Sequence, residues 1–258
     1  TTQAGEASFS ALKLAVRDLQ ESKVDVLVTA PFNKFNMQSK DFSFPGHTEY
    51  LQAEFNVEDA IMLMVSDYLK VGVVTGHVPM NQVPGLIKKD TVVSKINVLN
   101  KSLIEDFGIR KPRIAVLSLN PHSGENGMLG TEEQTEIIPA INEAKEKGYI
   151  VMGPFASDGF FGSGDFSKFD AILAMYHDQG LTPFKSLVTD GGVNFTAGLP
   201  VVRTSPAHGT AYALAGKGEA SPDSFRKALF MACDIYRSRN NLKELSKNPM
   251  KSYDISSI

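Results

Sequence analysis

Only one cysteine occurs among the 258 residues, so Cys233 has no partner in the chain with which to form a disulfide. It follows Leu229-Phe230-Met231-Ala232, an apolar setting that predicts a buried small hydrophobe rather than a nucleophile. No run of about 18 apolar residues occurs, so no membrane-spanning helix is predicted. An excess of one charge is also missing: 26 basic residues stand against 29 acidic ones, for a net charge of −3. There is no basic block or arginine-rich arm, which argues against nucleic acid or anionic lipid as partner. Thr1-Thr2-Gln3-Ala4-Gly5 has neither the basic nor the apolar region of a secretory signal. A cytoplasmic enzyme is the expectation, in a chain that begins without Met and so has its true start upstream.

Several familiar motifs are absent too. No G-x-x-x-x-G-K-[ST] occurs, which speaks against a P-loop. Gly159-Phe160-Phe161-Gly162-Ser163-Gly164 is glycine-rich but is not G-x-G-x-x-G. There is no G-x-S-x-G elbow. Internal repeats, low-complexity tracts and obvious linkers are lacking as well.

What is present is an ordinary globular balance, 42% apolar and 21% charged, long enough for one large domain or two smaller ones. Phe9, Leu12, Val16 and Leu19 recur at helical spacing. Apolar, β-branched runs predict strands at 25–30, 60–65, 71–75, 113–119, 149–152 and 171–175. Helical patterns lie between them, clearest at Val92, Val93, Ile96, Leu99 and Leu103, then at Ile137, Ile138 and Ile141. Continuous apolar strands alternating with helices predict an α/β fold with much parallel sheet. A last helix is predicted from about Ser221 to Arg237, with a loosely held polar tail after Arg239.

In open α/β sheets, ligands bind beyond the carboxyl ends of strands. His77, His122 and His177 each follow a predicted strand at that end. Imidazole is the commonest ligand of divalent transition metals, and three protein ligands with one open position describe a catalytic metal site. Asp158 and Asp178 stand close by in sequence, each able to orient a ligand, to serve as one, or to act as a general base. Lys185, Asn194 and Arg203 lie among the glycines of 179–203 and suit a phosphate or carboxylate. Pro45-Gly46-His47-Thr48-Glu49 opens a helix whose free amides face an anion equally well. From these residues alone, metal-assisted hydrolysis and metal-assisted dehydrogenation stand level.

The segments Phe44-Pro45-Gly46-His47-Thr48-Glu49, Asn120-Pro121-His122-Ser123-Gly124-Glu125 and Tyr176-His177-Asp178-Gln179-Gly180-Leu181 resemble signature stretches of the 4-hydroxythreonine-4-phosphate dehydrogenase family. So do Gly192-Val193-Asn194 and Gly198-Leu199-Pro200-Val201-Val202-Arg203-Thr204-Ser205, and the likeness runs in order from near Val24 to about Phe230. The resemblance implies a two-domain open α/β/α sandwich similar to the isocitrate and isopropylmalate dehydrogenase fold. One domain would comprise residues 1–40 plus 186–258 and the other 41–185. It implies one divalent metal (zinc, magnesium or cobalt) on His77, His122 and His177, and substrate contacts from His47, Thr48, Lys185, Asn194 and Arg203. Asp158, Asp178 and Lys185 are the catalytic groups it implies, although Gly159 replaces the threonine that usually follows the first acid.

His208-Gly209-Thr210-Ala211 is similar to the adenosine-binding loop of the isocitrate and isopropylmalate enzymes, which predicts NAD or NADP there. The implied reaction is oxidation of 4-phosphooxy-L-threonine at C3 to a keto acid that decarboxylates to 3-amino-2-oxopropyl phosphate, in pyridoxal phosphate biosynthesis. A homodimer with a shared active site is implied as well. Members open with a strand and a Gly-Asp-Pro-Gly-Ile-Gly-Pro type turn not found here, roughly a quarter to a third of the expected protein. Alternatives are a paralogue acting on phosphorylated threonate or erythronate, a metal-dependent phosphohydrolase, and a non-catalytic binding protein.

Overall fold

A computed structural model describes residues 1–39, 42–189 and 191–249. Its helices are α1 (Thr2–Gln20), α2 (Lys34–Met37), α3 (His47–Glu54), α4 (Val83–Leu86), α5 (Lys89–Glu105), α6 (Ile138–Glu146), α7 (Ser157–Gly162), α8 (His177–Leu187) and α9 (Asp223–Ser246). Its strands are β1 (Val26–Val28), β2 (Ile61–Val65), β3 (Lys70–Thr75), β4 (Arg113–Leu117), β5 (Ile150–Phe155), β6 (Ala171–Tyr176), β7 (Val193–Ala197) and β8 (Val202–Pro206). They form one eight-stranded sheet in the order β1-β8-β7-β2-β3-β6-β4-β5. The sheet draws β1, β7 and β8 from residues 1–40 and 186–258, and the other five strands from 41–185.

The six predicted strands are present, but the sheet is less parallel than expected. β3, β6, β4 and β5 run parallel, as do β1 and β8, whereas β2 is antiparallel to both β3 and β7, and β7 is antiparallel to β8. The reason lies between β2 and β3. Only residues 66–69 join them, and the Ser66 amide and Oγ both bond Leu69 O, closing a tight turn. A parallel crossover needs a dozen or more residues, so this short link dictates a hairpin. β7 and β8 are not among the predicted strands; their residues fall in the glycine-rich stretch that holds Asn194 and Arg203.

The two faces of the sheet carry different covers. On one, α5, α6 and α9 bury Ile61, Leu63, Ile114, Val116, Leu173 and Phe195 beneath Ile96, Leu99, Ile141 and Ala232. On the other, α7 and α8 pack over Val71, Val73, Ala115 and Ile172, while α1 to α3 cover the β1 end through Leu12, Val16, Met37 and Leu51. α1 approaches α2 so closely that a Cβ on Gly5 would lie 1.7 Å from Asn36 O, a contact only glycine permits. Between these two covers the face of β2, β7 and β8 is left open, and the cleft forms there.

The last helix runs past its expected end to Ser246, so 240–246 is ordered helix rather than loose tail. Arg239 anchors the helix past its expected end: its guanidinium pairs with the buried Asp106 carboxylate at 2.5 Å and donates to Leu199 O at 3.1 Å. Residues 250–258 of that tail lie outside the described residues. Cys233, expected to be buried, is half-buried on α9. No helix among the described residues is long and apolar enough to cross a membrane.

Candidate active site

A cavity of about 260 Å³ occupies the open face. It is smaller than the roughly 300–1,000 Å³ of pockets for drug-sized ligands, which suits a small metabolite. Alternation of side chains sends Arg203 and Ser205 of β8, Asn194 of β7, and Met62 and Met64 of β2 to this one face. His47 and Thr48 enter from α3, Leu181 and Lys185 from α8, and His77 and His177 from the ends of β3 and β6. His208 and Gly209 form part of the lining.

Arg203 is the electrostatic centre. It is 3% exposed, and its partners are neutral: Thr29 Oγ1 at 2.7 and 3.2 Å, Thr196 Oγ1 at 3.4 Å and His47 Nδ1 at 2.9 Å. Burial lowers the guanidinium from its ordinary value to about 10, only partly countered by Glu49. A buried cation whose hydrogen bonds all go to neutral groups leaves its charge uncompensated, and an anionic ligand is the group that would compensate it.

The same contact settles the protonation of His47. A guanidinium only donates, so Nδ1 must accept and the ring hydrogen sits on Nε2. Burial, then the charges of Arg203 and Lys34, push the imidazole down to about 2, and it stays neutral in the folded chain. The folded value lies below the unfolded one, so this contribution to stability is complete above about pH 6.5 and is lost as pH falls towards the folded value. His47→Asn is expected to flatten the dependence of unfolding free energy on pH, between about pH 6 and about pH 4, by roughly 1 kcal/mol per pH unit. Urea unfolding at several pH values would measure this, and an unchanged slope would refute it.

At the other side of the cavity two imidazoles meet. The rings of His77 and His177 lie 5.6 Å apart between centroids. His177 Nδ1 is 2.6 Å from Asp178 Oδ1, which leaves Nε2 available. His77 differs: its Nδ1 lies 3.9 Å from Glu49 Oε1, longer than a hydrogen bond, and its Nε2 takes the Lys34 ammonium at 2.7 Å. The His177 arrangement, a carboxylate on one ring nitrogen with the other nitrogen free, is how metal-ligating histidines are oriented. The Lys34 ammonium stands as a cation on His77 Nε2, so that nitrogen already accepts positive charge. Two orphaned buried oxygens, Glu49 Oε2 and Asn194 Oδ1, add acceptors without a donor.

The predicted residues are therefore not all brought together. His47, Thr48, His77, His177, Lys185, Asn194, Arg203, His208 and Gly209 line the one cavity. His122 lies outside it, exposed in the turn after β4, and among the described residues no three His, Cys, Asp or Glu come close enough to hold a metal. Asp158 is exposed in the first turn of α7, away from the cavity, and Asp178 reaches it only through His177. Thr210 stands apart from the lining. Sequence reasoning missed Thr29, Lys34 and Thr196. Each is an ordinary polar residue; Thr29 is 174 positions from Arg203 and Lys34 is 43 from His77, while Thr196, seven from Arg203, lies in a strand that is not predicted.

Comparison with known proteins shows the family. The family described as "Pyridoxal phosphate biosynthetic protein PdxA" matches residues 1–232. A 4-hydroxythreonine-4-phosphate dehydrogenase of Bacteroides thetaiotaomicron is 52% identical over 250 residues, covering 96% of this chain and 69% of its own length. The crystal structure of the 4-hydroxythreonine-4-phosphate dehydrogenase from Klebsiella pneumoniae superimposes with a TM-score of 0.78 at 37% identity, over 92% of this chain and 71% of that one. A terephthalate 1,2-cis-dihydrodiol dehydrogenase from Burkholderia xenovorans shares the fold, with a TM-score of 0.66 at 23% identity over 90% of this chain and 74% of that one. An α/β chain with this cavity, matched by the profile from its first residue into its last helix, belongs to the family of pyridoxal phosphate biosynthetic proteins PdxA.

Proposed function

We propose that this chain is the catalytic part of a metal-dependent NAD(P) dehydrogenase of 4-phosphooxy-L-threonine. The observation that carries the reading is the pairing, in one small cavity, of a buried arginine bonded only to neutral partners and two adjacent imidazoles, one of them oriented by a carboxylate. The names of the matched relatives support an oxidoreductase of pyridoxal phosphate biosynthesis. The reading makes His77 and His177 two ligands of a divalent ion, with His122 of a second copy as the third. Completion across two chains accounts for His122 lying outside its own cavity.

Each residue then has a physical task. Arg203 binds the anionic end of the substrate, and the His47 Nε2–H offers a neutral donor beside it. Asn194 Oδ1, buried and without a donor, accepts a hydrogen bond from the substrate's amino or hydroxyl group. Lys185 adds positive charge at the cavity wall. Asp178 keeps the His177 ring in the tautomer that presents Nε2. These contacts hold the reacting carbon in place and keep out water, which is where most of the rate gain of oriented reactants originates. When bound, the ion supplies Lewis acidity at the C3 hydroxyl and the nicotinamide supplies the hydride acceptor. The cavity takes the small acid but not a whole dinucleotide, so the cofactor would lie along the exposed loop from His208 to Gly218, with His208, Gly209 and Thr210 as contacts.

Full-length protein with NAD, a divalent ion and 4-phosphooxy-L-threonine is expected to raise the reduced-nicotinamide absorbance band. Prior chelation of the ion is expected to remove the signal and its return to restore it. Turnover with phosphorylated threonate alone would move the assignment to that substrate. Phosphate release without NAD would replace the reading by a phosphohydrolase.

A further inference from the structure

The turn that carries His122 is anchored by a carboxylate to which the reading above gives no task. After β4 the backbone passes through six consecutive residues of positive φ, His122, Ser123, Gly124, Glu125, Asn126 and Gly127, with values from 42° to 96°. Left-handed backbone is unfavourable for residues with a side chain, and such stretches persist only where surrounding contacts over-determine them. Within the run, Ser123 Oγ donates to Pro154 O and Gly124 O accepts from Leu129 N, while Glu133 fixes the residues that enter it. Glu133 is 1% exposed, and its Oε1 accepts from the amides of Leu119 and Asn120, both at 2.8 Å. Its Oε2 accepts from Asn120 Nδ2 at 3.0 Å. A Cβ built on Gly124 would lie 2.7 Å from that same oxygen, so the turn rests directly on the carboxylate.

The neighbouring strand ends are tied in the same way. Gln179 Nε2 donates to Ser118 O at 2.6 Å while its Oε1 accepts from Met175 N at 2.7 Å, linking β4 to β6. Thr75 Oγ1 donates to Met175 O at 2.8 Å, linking β6 to β3. The three strand ends that deliver His77, His122 and His177 are thus joined by buried side chains, and Glu133 is the link next to His122.

We propose that Glu133 is a positioning residue, whose carboxylate sets the left-handed turn so that the His122 imidazole is presented to a divalent cation. This rests on His122 being a metal ligand. The chemistry requires a carboxylate, because all three groups facing Glu133 donate. The side-chain amide of glutamine would oppose a donor with a donor.

The probe is Co²⁺ alone, titrated into full-length protein against a competing chelator and followed by its ligand-field absorption. Glu133→Gln is expected to weaken Co²⁺ binding by about 10–100-fold, the range for lost partners of metal ligands. Amide exchange at 119–127 should quicken, far-UV circular dichroism should be kept, and activity should return as Co²⁺ is raised. A folded Glu133→Gln protein with wild-type Co²⁺ affinity overturns the proposal. If that variant does not fold, Asn120→Ala decides, since it removes one donor and leaves the carboxylate. A loss of about tenfold in Co²⁺ affinity is expected there, and unchanged affinity overturns the proposal. His122→Ala separates the two levels. Weak binding in His122→Ala with full affinity in Glu133→Gln overturns only the positioning role. Wild-type affinity in His122→Ala, or no Co²⁺ binding by the wild type, overturns the ligand reading and this proposal with it.

Discussion

Arg203→Met is expected to lower kcat/KM for a phosphorylated substrate by about two to three orders of magnitude, while the folded protein becomes no less stable. The loss follows from removing a desolvated, multidentate anion contact, for which truncation costs roughly 2–5 kcal/mol. The stability half follows from the same burial. The guanidinium, 3% exposed, has its pKa lowered from the ordinary value to about 10. Its folded value lies below the unfolded one, so folding disfavours the charged form. That penalty is present at neutral pH and fades only as pH rises through the folded value. It is on the order of 3 kcal/mol. Met removes the penalty and fills similar space. It gives up hydrogen bonds to Thr29, Thr196 and His47 that contribute about 1 kcal/mol each. Urea unfolding at neutral pH should therefore show unfolding free energy unchanged or slightly raised. A loss of several kcal/mol would mean that Arg203 is a structural residue, and the anion site would need another owner.

With His177 as a ligand of the proposed ion, His177→Ala is expected to remove turnover by about three orders of magnitude or more, because Lewis acidity of that kind supplies several kcal/mol of charge stabilisation. Asp178→Asn should behave differently. Its carboxylate is 79% exposed and touches the reaction only through His177 Nδ1, at 2.6 Å. The expected effect is a fall in metal affinity of about 10–100-fold, with turnover recovering as metal is added. His177→Ala should not recover. Steady-state rates across a metal titration separate the two. A metal-insensitive loss in Asp178→Asn would make that acid a proton carrier, and wild-type activity in His177→Ala would remove the metal from this site.

The histidines were legible because the strands that deliver them are. β3, β4 and β6 are continuous, β-branched and almost wholly buried, so their ends could be placed within a residue or two and a polar residue just beyond them stood out. β7 and β8 hid for the opposite reason. They are five residues each, contain Asn194, Thr196, Arg203, Thr204 and Ser205, and lie among Gly191, Gly192 and Gly198. Asn194, Arg203 and Ser205 line the cavity, and Thr204 bonds Ala228 O of α9, so polar residues break the apolar run by which strands are recognised. The continuation of α9 past Arg237 was not legible because Arg239 is held by Asp106, 133 positions away in the chain.

The chain by itself determined the α/β class, the strand ends that carry His77, His122 and His177, and the arginine and lysine suited to an anion. These depend on local periodicity and residue chemistry, which survive in a linear string. The tertiary structure alone decided that β2 turns back on β3 and leaves the sheet mixed. It also decided that Arg203 is buried among neutral partners, that the His77 and His177 rings meet with Asp178 on one of them, and that His122 stands outside its own cavity on a turn seated over Glu133. Burial and charge compensation depend on which distant residues meet, and only the assembled sheet brings them within reach.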